Sequence, residues 1–252
     1  MTLNPSKTLL PCLEKTVRNN NVHCIYDANR VDEFSPKMLD SHYWQENNAV
    51  LGTAQGRGTT WFVQYQQQHW VLRHYYRGGM IGKFNKDKYF FTSLFATRAA
   101  REFELLKKLQ QLNLPAPHPI AYRVVRKGFL YQADLLSERI VEAEDLVAKL
   151  SNTSISDDLW RKIGVTIKKF HHHGIYHHDL NAHNILIDQQ DKVWLIDFDQ
   201  GDQRKVASHW QQANMARLLR SFNKENKKLD SFHWQESNWL ALMQGYDMQH
   251  PV

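Results

Sequence analysis

Apolar and polar positions change rhythm several times along this 252-residue chain. In "GTAQGRGTTWFVQY" and "HWVLRHYYRGG", short apolar runs lie between glycines and polar turns, the pattern of strand, turn and strand. In "TRAAREFELLKKLQQLNLP" the period lengthens. Leu105, Leu106, Leu109 and Leu112 share one stripe, a helix that Pro115 stops. Pro115, Pro117 and Pro119 alternate and enforce an extended connection. "IAYRVVRKGFLYQADLL" reads as a hairpin turning at Lys127–Gly128. A second helix has Ser156 as N-cap, Asp157 and Asp158 in its first turn, and Leu159, Ile163, Ile167 and Phe170 inward; Gly174 ends it. "NILID" and "VWLID" form another hairpin. Two helices follow, one carrying Trp210, Asn214, Leu218 and Phe222, the other Trp239, Leu242, Met243 and Tyr246. Residues 1–48 are polar and Asn-rich and read as an irregular N-terminal extension. Residues 49–137 are then mostly strands with one helix, and 138–252 mostly helices with one hairpin. The expected fold is α+β in two lobes, with a boundary near Leu136–Arg139.

Composition narrows the class. Hydrophobic residues make up 42% and charged residues 23%, ordinary for a soluble globular protein. No run approaches the roughly 18 apolar residues of a membrane span. "MTLNPSKTLLPCLEK" has no basic segment followed by an apolar one, so no secretory signal is read. Cys12 and Cys24 are too few for a disulfide framework and lack zinc spacing, which points to a cytosolic, reducing compartment. The net charge of +6 is concentrated: residues 73–108 hold nine Lys/Arg and three acids, leaving the rest of the chain formally neutral. Aromatics are interleaved there, in "RHYYRGGMIGKFNKDKYFFTSLF". The stretch is either a solvated face or a surface for an anionic partner.

The densest chemistry lies in "HHHGIYHHDLNAHNILID", residues 171–188. His171, His172 and His173 are consecutive, so a helix fans them apart, and imidazolium groups suit a helix C-terminus. His177, His178 and His183 lack the spacing of a catalytic zinc motif. His177 is expected to orient the loop. Asp179 lies on that loop, Asn184 opens one strand of the hairpin and Asp197 ends the other. If 184–188 pair with 193–197, Asn184 lies directly opposite Asp197, with Cβ atoms about 5 Å apart. Two hard oxygen ligands at a hairpin mouth suit Mg²⁺, which keeps places for water and substrate phosphate.

This stretch resembles the catalytic loop of protein kinases: His177-His178-Asp179-Leu180-Asn181-Ala182-His183-Asn184 for His-Arg-Asp-Leu-x-x-x-Asn, and Ile196-Asp197-Phe198-Asp199 for the Asp-Phe-Gly element. The resemblance implies a protein-kinase-like two-lobe fold, a mostly antiparallel-sheet N-lobe and a mostly helical C-lobe. Asp179 would be the catalytic base, and Asn184 and Asp197 the Mg²⁺ ligands beside ATP. It also asks for parts in the front half. Gly56 and Gly58 are candidates for a phosphate-covering loop, although a β-turn explains two glycines equally well. Arg73 stands where lysine is usual and keeps the charge. Glu102 shares a face with Leu105, Leu106 and Leu109 and needs a partner from elsewhere, whereas Glu104 has Lys108 at i+4. Glu102 is therefore expected to pair with Arg73. Adenine contacts are expected from the backbone around Asp134–Leu136.

The chain departs from protein kinases after Asp197. "DQGDQRKVASHWQQANMARLL" reaches a helix quickly, no Ala-Pro-Glu exists, and His178 replaces arginine. "VLRHYYRGGMIGKFNKDKYFF", "REFELLKKL", "LPAPHPIAYRV" and "HHDLNAHNILID…VWLIDFDQG" resemble the 3-deoxy-D-manno-octulosonic acid (Kdo) kinases of Gram-negative lipopolysaccharide biosynthesis. That resemblance implies ATP-dependent phosphorylation of the Kdo 4-hydroxyl on a lipid A precursor, at the cytoplasmic side of the inner membrane. Arg77, Lys83, Lys86 and Lys88 would meet that anionic glycolipid, with Tyr89, Phe90 and Phe91 in the lipid interface and no nucleic acid as partner. An aminoglycoside-type kinase and a nucleotide-binding pseudokinase are the alternatives.

Overall fold

The computed structural model describes residues 11–56, 58–77 and 87–248, and the chain divides into two compact units. The first comprises Met1–Phe103 and His118–Glu138, the second Glu104–Pro117 and Arg139–Val252. Together they combine helices with antiparallel sheet. Among the described residues, no helix is long and apolar enough to cross a membrane.

The first unit is built on one antiparallel sheet. Its strands are β1 (Glu14–Asn19), β2 (Val22–Asp27), β3 (Val50–Gln55), β4 (Thr59–Tyr65), β5 (Gln68–His74), β6 (Tyr89–Phe90), β7 (Pro119–Lys127) and β8 (Leu130–Glu138). Their order is β1-β2-β7-β8-β5-β4-β3, and β6 also pairs with β8. The β7–β8 turn lies where glycine predicts it: Lys127 faces Leu130, and Gly128 has φ +62.

Residues 14–48 are not the irregular extension expected. β1 and β2 join the sheet through β7, and Val31, Met38, Leu39 and Trp44 enter its core with Cys24, Trp70 and Ile120. The short helix α1 (Ser41–Glu46) holds Trp44, whose ring packs edge-on to Trp70 and whose Nε1 donates to the Met38 carbonyl at 2.7 Å. An Asn-rich composition concealed this because β1 is mostly exposed and alternates weakly.

Helix α2 (Arg98–Gln111) ends before Pro115, and Leu105, Leu106 and Leu109 are buried. The second unit continues with β9 (Ala143–Asp145), α3 (Leu146–Asn152), α4 (Asp157–His172), β10 (Ile175–Tyr176), β11 (Ile185–Asp188), β12 (Val193–Leu195), β13 (Asp202–Gln203), α5 (Ser208–Lys228) and α6 (Glu236–Asp247). α4 is capped as its sequence dictates. The Ser156 hydroxyl accepts from Leu159 N–H at 3.2 Å, and Gly174 takes φ +72 just past the end. α4 and α6 cross with their backbones close, because a Cβ on Gly164 would lie 2.0 Å from the Leu242 carbonyl oxygen.

The β11–β12 hairpin is offset by one residue from the expected pairing. Ile185 faces Leu195 and Ile187 faces Val193, so Asn184 meets Ile196 rather than Asp197. The turn is the cause. Asp188 Oδ1 accepts from Gln190 and Lys192 N–H at 3.0 and 2.9 Å, and Asp191 adopts φ +55. This is a three-residue loop closing on a left-handed residue, which sets an odd register.

Candidate active site

The loop between β10 and β11 is held from three sides. Asn214 and Ser221 project from α5 and both bond loop backbone: Asn214 Nδ2 donates to the His177 carbonyl at 2.8 Å, and Ser221 Oγ accepts from Ala182 N–H at 2.8 Å. From α4, His171 Nε2 meets Asn214 Oδ1 at 3.2 Å, and Tyr246 of α6 meets His171 Nδ1 at 2.7 Å. Within the loop, His177 Nε2 reaches the Ile196 carbonyl at 2.9 Å, while its Nδ1 accepts from Asp179 N–H at 3.3 Å.

Proton positions follow from the partners. A carbonyl only accepts and a backbone N–H only donates, so His177 is the neutral Nε2–H tautomer. Asn214 gives its amide hydrogen to a carbonyl, so its oxygen takes His171 Nε2–H and His171 Nδ1 takes the Tyr246 proton. Burial is the largest influence on both imidazoles. It pushes His171 down to about 4 and lowers His177 despite the Ile196 carbonyl and the charges of Asp197 and Asp179. His171 therefore does not act as an imidazolium at the end of α4, as expected, but as a neutral group in the core. His172 and His173 are exposed, and His183 lies 3.4 Å from Asp145 and 3.7 Å from Glu225. Among the described residues, no cluster of three or more His, Cys, Asp and Glu side chains forms a metal cage.

His177 thus ties Asp179 to the residue preceding Asp197. The Asp179 carbonyl accepts from Asn184 Nδ2 at 2.9 Å and from Asn181 Nδ2 at 3.0 Å. Because its amide nitrogen is committed to that bond, the side-chain oxygen of Asn184 is the atom left outside it. The Ile196 N–H donates to the Asn184 carbonyl at 3.0 Å, so Asp197 follows the residue bonded to Asn184. Asp197 has φ +61, a sparsely populated conformation for a residue with a side chain, and Phe198 beyond it is fully buried against Phe170 and His177. The hard oxygens of Asn184 and Asp197 fit Mg²⁺ in kind.

In the first unit Arg73 and Glu102 are brought together as an ion pair, and Tyr75 O–H donates to the other Glu102 oxygen at 2.6 Å. Glu102 is 2% exposed. Glu104 instead meets Lys107 at 3.0 Å, not Lys108. Gly56 N–H bonds the Gly58 carbonyl at 3.0 Å at the tip of the β3–β4 hairpin, and a Cβ on Gly58 would strike the Tyr76 ring at 2.0 Å. Turn closure and ring packing account for both glycines. Asp134 and Leu136 do not fit the expected adenine contacts. Leu136 lies between β5 and β7, paired with Leu72 and Ala121, and the Asp134 carboxylate holds His74 at 2.7 Å and Arg123 at 2.8 Å. β8 continues to Glu138, so backbone leaves the ladder only beyond it.

The sequence reading missed Arg217, whose Nη1 lies 3.3 Å from Asp179 Oδ1. Its signal was present on α5: Asn214, Arg217 and Ser221 stand at i, i+3 and i+7, a polar stripe on an amphipathic helix. Lys83 and Lys86 lie outside the described residues. Tyr89 is buried and bonds Arg98, whereas Phe90 is 75% exposed.

A loop carboxylate at Asp179, Asn184 bonded to its carbonyl, and Asp197 next to the residue that His177 holds are thus gathered around one buried histidine; similarity to known proteins defines the class as a phosphotransferase acting on an alcohol. The model of the lipopolysaccharide kinase (Kdo/WaaP) family matches residues 41–246, and the chain belongs to that family. It is similar to a 3-deoxy-D-manno-octulosonic acid kinase of Vibrio vulnificus (strain CMCP6), 51% identical over 203 residues that cover 81% of this chain and 86% of that protein. An enzyme of the same name from Haemophilus influenzae (strain 86-028NP) is 44% identical over 216 residues, covering 82% and 89%.

Proposed function

We propose that this chain transfers the γ-phosphoryl group of ATP to the 4-hydroxyl of a Kdo residue on a lipid A precursor, in lipopolysaccharide core biosynthesis. Its two units are the N-lobe and C-lobe of a protein-kinase-like enzyme. The observation that carries the reading is the His177 bridge between Asp179 and Ile196, supported by the family match and by relatives named for Kdo phosphorylation.

Asp179 orients the acceptor hydroxyl and takes its proton as the new O–P bond forms and the bond to ADP breaks. Asn184 and Asp197 would hold Mg²⁺, and a bound ion there would supply neutralisation of phosphate charge. Arg73, backed by Glu102, binds nucleotide phosphate with the hairpin tip at Gly56 and Gly58, and adenine meets backbone released after Glu138. The acceptor is an anionic glycolipid, and peripheral contact with the cytoplasmic face of the inner membrane follows from it. Phe90 and Phe129, 75% and 82% exposed, support that contact: Phe91 N–H bonds the Phe129 carbonyl at 2.9 Å, and exposed Lys88 and Lys127 flank them.

ATP consumption with Kdo–lipid A acceptor tests the proposal. Asp179→Ala should abolish turnover while nucleotide binding persists; near-normal turnover in that variant removes the base assignment, and an inactive wild-type chain removes the acceptor.

A further inference from the structure

We propose that Arg217 is an acceptor-binding residue: its guanidinium takes the carboxylate of the sugar acid whose hydroxyl lies on Asp179. This deepens the acceptor reading above and rests on it.

Asp179 is the one hydrogen-bond partner of Arg217 among the described residues, through a single nitrogen at 3.3 Å. The pair is not a fork, and its side chains are 43% and 45% exposed, the condition under which ion pairs are weak and readily exchanged. The loop does not need it. Asn181 and Asn184 already hold the Asp179 carbonyl, and His177 takes its N–H. Arg217 is nevertheless placed with care, because the same helix is pinned to the loop at Asn214 on one side and Ser221 on the other. Its backbone therefore stands at a fixed station, from which the guanidinium reaches the proposed base.

A hydroxyl delivered to Asp179 brings the rest of its sugar ring to within a few bond lengths of that station. A Kdo residue carries one negative group on the ring itself, a carboxylate. Guanidinium matches carboxylate with two parallel N–H···O bonds, a better arrangement than the single contact to Asp179. Seating the acceptor would thus draw the guanidinium onto the substrate and leave Asp179 to the hydroxyl. A neutral sugar offers no such exchange, so the residue discriminates acids from ordinary sugars.

The experiment pairs two acceptors with three enzymes: Kdo–lipid A and its carboxyl-reduced counterpart, with wild type, Arg217→Ala and Arg217→Lys. Wild type should prefer the acid. Arg217→Ala should lose roughly 10- to 100-fold in kcat/KM on the acid, chiefly through its KM, with little change on the reduced acceptor and none in the KM for ATP. Arg217→Lys should fall between, keeping charge without the fork. Equal losses on both acceptors, or no loss on either, would overturn the assignment. A wild type inactive on both overturns the Kdo reading itself, an outcome distinct from a wild type that turns over both equally.

Discussion

Replacing His171 by glutamine should flatten the acid side of the stability profile. The imidazole is 1% exposed, donates to Asn214 and accepts from Tyr246, and burial pushes it down to about 4. Lys168 nearby pushes in the same direction. Below about pH 6.5 the unfolded chain binds a proton that folded His171 refuses until about 4, so the native state loses ground as pH falls through that window. From those two values the loss is about 1 kcal/mol by pH 5.5 and about 3 kcal/mol once pH 4 is passed. Urea unfolding followed by tryptophan fluorescence at pH 7.5 and 5.5 measures it, because Trp160, Trp210 and Trp234 are buried in the same unit. Glutamine does not titrate. Whatever its absolute stability, the variant should lose about 1 kcal/mol less than wild type between those pH values. Carboxylates and the raised His183 affect both proteins alike and cancel in the difference. Equal pH dependence in the two proteins would show that His171 is not held neutral.

Two further outcomes are expected. Glu102→Gln removes the negative charge that holds Arg73, at a buried site that also receives Tyr75; it should lower stability by about 2–4 kcal/mol and raise the KM for ATP at least tenfold by order of magnitude. An unchanged KM for ATP would separate Arg73 from nucleotide. Phe129→Ser, at an 82% exposed turn position, should weaken co-sedimentation with anionic vesicles without changing the melting temperature; undiminished vesicle binding would exclude that turn from a lipid surface.

What the sequence disclosed was what local chemistry decides. Ser156, Asp157 and Gly174 mark the ends of α4 because capping depends on neighbours in the chain. Lys127–Gly128 marks a hairpin because the turn needs a left-handed residue and glycine supplies it. The β11–β12 register escaped because the left-handed residue there is Asp191, a weaker mark than glycine that does not fix the loop length. The front of the chain escaped for another reason. Val31, Met38, Leu39 and Trp44 are buried from a loop, a single turn and a six-residue helix, all too short for a period to be detected. A clue did exist: Asn19 pairs with Val22 across a two-residue Asn-Asn turn with Asn20 at φ +45, the asparagine-rich hairpin that tolerates positive φ. Residues 177–184 stood out in the sequence by type and spacing, but the tertiary partners of that loop did not. Arg217 is 38 positions from Asp179, and no spacing rule links them.

The neutral state of the two histidines bears on why the loop is built this way. A charged imidazole at 177 would lie beside Asp179 and Asp197 and take up their negative potential, in competition with a cation or a hydroxyl proton. Those carboxylates do raise its proton affinity, yet burial outweighs them, and the Asp179 N–H requires a bare Nδ1. His177 therefore supplies direction without charge. The hydrogen bonds run one way, from Tyr246 through His171 and Asn214 to the His177 carbonyl, and then from the His177 ring to Ile196. Each donor has one acceptor, so rotating any member leaves a buried group without its partner, at a cost of about 1–3 kcal/mol. The loop is held by bonds that would break together, and this fixes the backbone of Asp179 on both sides of its side chain.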